Sequence, residues 1–157
     1  MATDNEICDR YPDDFSREIG RLALAFADAE GRAAELILVC NRHQPLTDGG
    51  WSRSGQQLGQ VLRQCFDDSR FQRVCDELQD LTVHRNFYIH GEWTFRADGT
   101  AAIMKRQHLK EHQAASYDIN PVVTVGHVRE IADRVIAVDK ELVNYIVLRM
   151  AQIHEPG

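Results

Sequence analysis

From Phe15 onward, apolar side chains recur at Phe15, Ile19, Leu22, Phe26, Ala29, Ala33, Leu36 and Cys40, in steps that alternate between four residues and three. That spacing keeps returning to one face of a 3.6-residue helix for about seven turns, and no strand, with its period of two, can satisfy it. A helix apolar on one stripe alone must bury that stripe against other elements. Three further segments repeat the pattern. Pro45, Asp48-Gly49-Gly50 and the pair Ser52 and Ser54 supply breakers and N-cap candidates ahead of Leu58, Val61, Leu62 and Cys65. Asp67-Asp68-Ser69 breaks and recaps the chain before Phe71, Val74, Cys75, Leu78, Leu81, Tyr88 and Ile89, a third helix that ends at Gly91. Thr124 is placed to cap a last helix whose apolar face runs Val128, Ile131, Val135, Val138, Leu142, Tyr145 and Leu148.

Between the third and fourth helices the pattern changes. Trp93-Thr94-Phe95-Arg96 and Ala101-Ala102-Ile103-Met104 flank Ala97-Asp98-Gly99-Thr100, and Asp-Gly closes tight hairpins. A hairpin over about residues 92–106 is expected, covering one end of the helices, since an isolated hairpin of this length is not stable without packing. Arg106 to Ser116 reads as a loop, and Asn120-Pro121 punctuates the approach to the last helix, because the residue before proline is pushed out of the helical region. The expectation is an all-α protein, an antiparallel four-helix bundle with a small β-hairpin inserted between the third and fourth helices. It would form one domain over residues 1–157 with its core in 13–152.

Composition narrows the function. At 43% hydrophobic and 27% charged residues over 157 positions, the chain can bury a core without staples and lacks the signature of disorder. A net charge of −6 argues against a broad, sequence-independent nucleic-acid binder, so any such contact has to be local. The start, Met1-Ala2-Thr3-Asp4-Asn5-Glu6, has neither the basic nor the apolar run of a signal peptide, and no stretch is long and apolar enough to span a bilayer. Cys8, Cys40, Cys65 and Cys75 form no CxxC pair, and three lie within apolar helical patterns, where a thiol acts as a small hydrophobe. A cytoplasmic protein without membrane contact is expected. Glycine-rich phosphate loops of the GxxxxGK[ST] and GxGxxG kinds and a GxSxG elbow do not occur, which leaves nucleotide hydrolysis, dinucleotide binding and serine-hydrolase chemistry without support.

One segment interrupts the core pattern. Val74, Leu78, Leu81 and Arg85 fall within one narrow stripe, and a guanidinium there must find a carboxylate, reach water or lie at a subunit interface. Asn86 and His90, four apart, share a neighbouring face. His90 precedes Gly91 in the last turn, where the negative end of the helix favours a charged imidazole suited to proton transfer. The plainer alternative is that His, Arg and Asn commonly end helices as caps or solvated residues.

The segment Arg85-Asn86-Phe87-Tyr88-Ile89-His90 resembles the R-x4-H motif of HEPN domains, including the polar residue that often follows the arginine. It falls near the end of a long helix, as in that family, and His90-Gly91-Glu92-Trp93 leads into an Asp-Gly hairpin as in many uncharacterised bacterial members. The helical plan over residues 13 to 152 is similar as well. The resemblance implies a metal-independent endoribonuclease, without a cofactor, that joins the arginines and histidines of two subunits at a homodimer cleft. On that implication Arg85, Asn86 and His90 are catalytic. His90 would move a proton to or from the ribose 2′-hydroxyl or the leaving oxygen, Arg85 would stabilise charge on the phosphate, and Asn86 would orient one of them. The 2′-hydroxyl attacks its own phosphate, leaving a cyclic phosphate end and making DNA a poor substrate. A toxin or bacterial defence effector with an antitoxin protein partner would fit this chemistry. The alternative is a non-catalytic HEPN-like interaction or RNA-binding module, which the acidic balance favours.

His84, beside the motif, is a candidate RNA contact. Arg42, His43, Arg96, Lys105, Arg106 and Lys110 are candidates for a basic rim near the hairpin, with Arg96 and Lys105 taken as substrate-binding; scattered surface charge is the competing reading. His108 and His112 are spaced i, i+4, but no HExxH accompanies them, and no metal is assigned. Glu35 is a conceivable partner for Arg85 and is left unassigned, and Trp51 and Trp93 are assigned to packing.

Overall fold

A computed structural model describes residues 11–41, 56–106 and 116–154. Helix α1 spans Asp13–Asn41, α2 Gln56–Leu62, α3 Ser69–His90 and α4 Val125–His154; strands β1 (Glu92–Phe95), β2 (Thr100–Arg106) and β3 (Tyr117–Thr124) lie between α3 and α4. Among the described residues 72% are helical. The helical expectation therefore holds at the level of class and element order, and no described helix is long and apolar enough to cross a membrane. Cys8, Arg42, His43, Pro45, Asp48-Gly49-Gly50, Trp51, the Ser52 and Ser54 caps, His108, Lys110 and His112 lie outside the described residues, as does nearly all of the expected loop after Arg106.

The described residues group into two compact units. One lies within Met1–Ala23 and Val83–Ala132, the other within Leu24–Thr82 and Asp133–Gly157. The second is a helical core. Ala29, Ala33, Leu36, Ile37 and Cys40 of α1, Leu58, Val61 and Leu62 of α2, Phe71, Cys75, Leu78 and Leu81 of α3, and Val135, Val138 and Leu142 of α4 are all buried, as the three-and-four spacing requires. Leu148 departs from it: at 47% exposure it lies off the buried face near the end of α4. Asp68 is the N-cap of α3, accepting from the Phe71 backbone N–H at 2.8 Å and from the Tyr145 hydroxyl at 2.9 Å. The Phe71 bond, helped by Tyr145, holds its carboxyl below the usual carboxylate range. Cys40, Cys65 and Cys75 are buried free thiols.

The first unit is built around the sheet. β1 and β2 form the expected hairpin, with Glu92 opposite Met104 and Phe95 opposite Ala101. Gly99 takes φ 82°, a left-handed conformation that side-chain-bearing residues rarely adopt, and Asp98 accepts from the Thr100 hydroxyl and backbone N–H, which holds its carboxyl low. The sequence predicts a hairpin alone, but β3 pairs antiparallel with β2 and makes the sheet three-stranded, in the order β1-β2-β3. Pro121 is tolerated because β3 is an edge strand and because the register shifts there: Ala101 faces Val123 and Ile103 faces Asn120, so a bulge absorbs one residue beside the proline.

Aromatic rings join the sheet to the helices of this unit. Trp93 stacks on Phe95 at 5.5 Å and on Tyr88 of α3 at 5.9 Å, while Phe15 of α1 meets Trp93 and Phe95 at 5.7 and 5.2 Å. The buried Glu18 carboxylate is held by Arg21 at 3.5 Å and by Arg129 of α4 at 3.2 Å, which offsets the cost of removing it from water. Thr124 caps α4 as expected, in a reciprocal form. Its hydroxyl accepts from the His127 N–H, and its own N–H donates to His127 Nδ1, both at 3.2 Å.

Candidate active site at the end of the third helix

The helix-to-strand turn sets the geometry. The Gly91 N–H still donates to the Phe87 carbonyl at 3.0 Å, so the helical hydrogen bonding runs one residue past His90. A glycine is required there by a close approach, not by a left-handed φ: a Cβ would collide with Ile103 Cγ2 and lie 2.5 Å from the Phe87 carbonyl oxygen. The Trp93 indole N–H donates at 2.9 Å to the carbonyl of Tyr88, one of the acceptors a helix end leaves unpaired. Burial raises the Tyr88 phenol above its ordinary value, with the Glu130 charge acting the same way, so Tyr88 stays neutral and serves packing.

With β2 held against the end of α3, Asn86 and His90 come to line one cavity with Glu92 of β1 and Met104, Lys105 and Arg106 of β2. Its volume is about 490 Å³, within the range of small-ligand sites. His90 is exposed, and Asn86 and Lys105 are half-buried. Among the described residues, Asn86, His90 and Lys105 make no side-chain hydrogen bond or ion pair. Arg106 bridges Glu92 at 3.3 Å, as expected for its diagonal position across the ladder two residues beyond Met104. Two cations thus face one carboxylate, a local positive excess in a chain of net charge −6. A phosphate-sized anion can be held there by a lysine, an arginine and an amide, with an imidazole within the same cavity.

The other candidates are distributed differently. Arg85 is half-buried, its Nε is shielded from solvent, and it does not line this cavity. His84 is half-buried and stacks on Tyr88 with centroids 6.4 Å apart. Arg96 sits at the turn end of the hairpin, about 13 Å along the strand from Glu92, where it donates to the Thr100 hydroxyl at 3.2 Å and to the Pro121 carbonyl at 2.8 Å. Glu35 is bridged to Arg32 at 3.2 Å. Trp93 packs, as assigned. Glu92 and Met104 are the lining residues that sequence reasoning missed, although the Asp-Gly turn carried the signal: closing the hairpin there sets Glu92 opposite Met104 and diagonal to Arg106. Among the described residues there is no group of three or more His, Cys, Asp or Glu side chains placed to hold a metal ion.

The chain matches no protein-family model, no curated protein and no solved structure.

Proposed function

We propose that this protein is a metal-independent endoribonuclease of the HEPN type, in which the four helices form an antiparallel bundle and two copies pair around the R-x4-H segments. It cleaves RNA by attack of the 2′-hydroxyl on the adjacent phosphate, acts in the cytoplasm, and fits the toxin or effector of a defence system held in check by an antitoxin protein. The observation that carries this reading is the set of Asn86, His90 and Lys105, polar side chains that line one cavity without a hydrogen bond or ion pair among the described residues. Polar groups drawn together in a concave site and not used by the fold are suited to a ligand. In this reading His90 transfers a proton, Lys105 and Arg106 neutralise the phosphate, and Asn86 orients it. Arg85 acts on the developing charge from the paired subunit's side of the cleft.

A second reading, a non-catalytic RNA-binding or interaction module, is favoured by one observation: Arg85 is set back, with its Nε shielded, while the cavity itself offers cations and an amide. The two readings separate on incubation of labelled single-stranded and hairpin RNAs with the purified chain in EDTA. Cleavage to 2′,3′-cyclic phosphate ends is expected. Retention of every RNA on the protein without cleavage would favour the binding module.

A further inference from the structure

We propose that Glu92 is a catalytic residue of this cavity, the general base that takes the 2′-hydroxyl proton while His90 acts as general acid on the leaving oxygen. The inference rests on the ribonuclease reading and adds a residue that lies outside the R-x4-H segment. Cleavage by an internal hydroxyl moves two protons, one off the nucleophile and one onto the leaving group, and the one imidazole that lines each subunit's cavity cannot do both in one step. Of the six residues lining the cavity, Lys105 and Arg106 are cations, and Asn86 and Met104 neither give nor take a proton under ordinary conditions. Glu92 and His90 remain, a carboxylate acceptor and an imidazole able to donate.

Their placement suits separate roles. His90 is the last residue of α3 and Glu92 the first of β1, and the turn at Gly91 brings them to the cavity from different elements. Arg106 pairs with Glu92 through Oε1 at 3.3 Å, which sets the carboxylate beside the cation that would meet the phosphate. In the step, the Glu92 carboxylate accepts the 2′-hydroxyl proton, and the 2′-oxygen bonds to phosphorus. The bond from phosphorus to the 5′-oxygen breaks with its electron pair on oxygen, and His90 gives that oxygen a proton. The products are a 2′,3′-cyclic phosphate and a 5′-hydroxyl. The net proton moved from His90 to Glu92 is returned through water before the next turnover.

The test compares an RNA dinucleotide with uridine 3′-(4-nitrophenyl phosphate), whose leaving group departs without a proton, for the full-length wild type, Glu92→Gln and His90→Ala. Glu92→Gln keeps the shape of an exposed side chain and removes one surface ion pair, so folding is expected to survive. The expected result is that Glu92→Gln slows both substrates by about 10²- to 10⁴-fold. His90→Ala should slow the dinucleotide comparably yet recover most of its rate on the nitrophenyl substrate. If the wild type cleaves both and Glu92→Gln stays within about threefold of it, or is itself rescued by the nitrophenyl group, the assignment of Glu92 is overturned and the ribonuclease reading stands. A wild type that cleaves neither overturns both.

Discussion

His90→Ala is expected to slow RNA cleavage by about 10²- to 10⁴-fold, the range for loss of a positioned proton donor, while leaving stability within about 0.5 kcal/mol of wild type. The two halves of that expectation have one cause. His90 is exposed in the last turn of α3, and among the described residues its ring makes no hydrogen bond or ion pair, so the fold does not depend on it. Around it in the cavity are Asn86, Glu92, Met104, Lys105 and Arg106, of which the amide and the two cations are suited to a phosphodiester. Single-turnover cleavage, read beside a urea unfolding curve, checks both halves at once. A variant that unfolds earlier and loses activity in proportion would make His90 a structural residue, and one that cuts at the wild-type rate would remove it from the mechanism.

The second large effect is on stability. Gly91→Val is expected to cost about 3 kcal/mol, the upper part of the range for overpacking a filled site. The new Cβ would meet Ile103 Cγ2 on one side and the Phe87 carbonyl oxygen on the other. Ile103 is fully buried in β2, and the carbonyl is helix backbone already bonded to the Gly91 N–H, so neither can give way alone. Relief requires β2 to move off the end of α3, which would also open the cavity between them. The urea midpoint of the variant measures the cost, and a midpoint equal to that of wild type would show that the close approach is not maintained in solution.

The helices were legible because their signal is periodic and redundant. The α1 stripe offers eight positions on one face, and seven of its members, Phe15, Leu22, Phe26, Ala29, Ala33, Leu36 and Cys40, are at 2% exposure or less. The hairpin was legible because Asp98-Gly99 supplies both the left-handed residue and the side-chain acceptor that the turn needs. β3 was not. Its alternation of Tyr117 and Ile119 is broken where the bulge inserts a residue, and Pro121 reads as punctuation unless the strand is known to be an edge. Gly91 was legible as the end of a helix but for an incomplete reason, since the requirement comes from Ile103, twelve residues further along the chain.

The site shows the same division. Asn86 and His90 were found by helical spacing, which is local, and they do share one cavity. Lys105, one of the candidates for a basic rim, lies in β2 and lines the cavity, whereas Arg96, equally basic and closer in sequence, is taken up by the turn and the Pro121 carbonyl. Charge alone could not separate those two. Register could, because the pairing of Glu92 with Met104 puts Lys105 and Arg106 at the open end of the hairpin and Arg96 at its closed end.

The most direct test of the account replaces the 2′-hydroxyl by hydrogen at a single cleaved nucleotide of an otherwise unchanged RNA and monitors cutting at that position in EDTA. If the protein is the proposed ribonuclease, cleavage at that nucleotide is lost while neighbouring sites are still cut to cyclic phosphate ends. Unchanged cleavage at the deoxy position would mean that an external nucleophile attacks the phosphate, contradicting both the internal-hydroxyl mechanism and the roles given to His90 and Glu92.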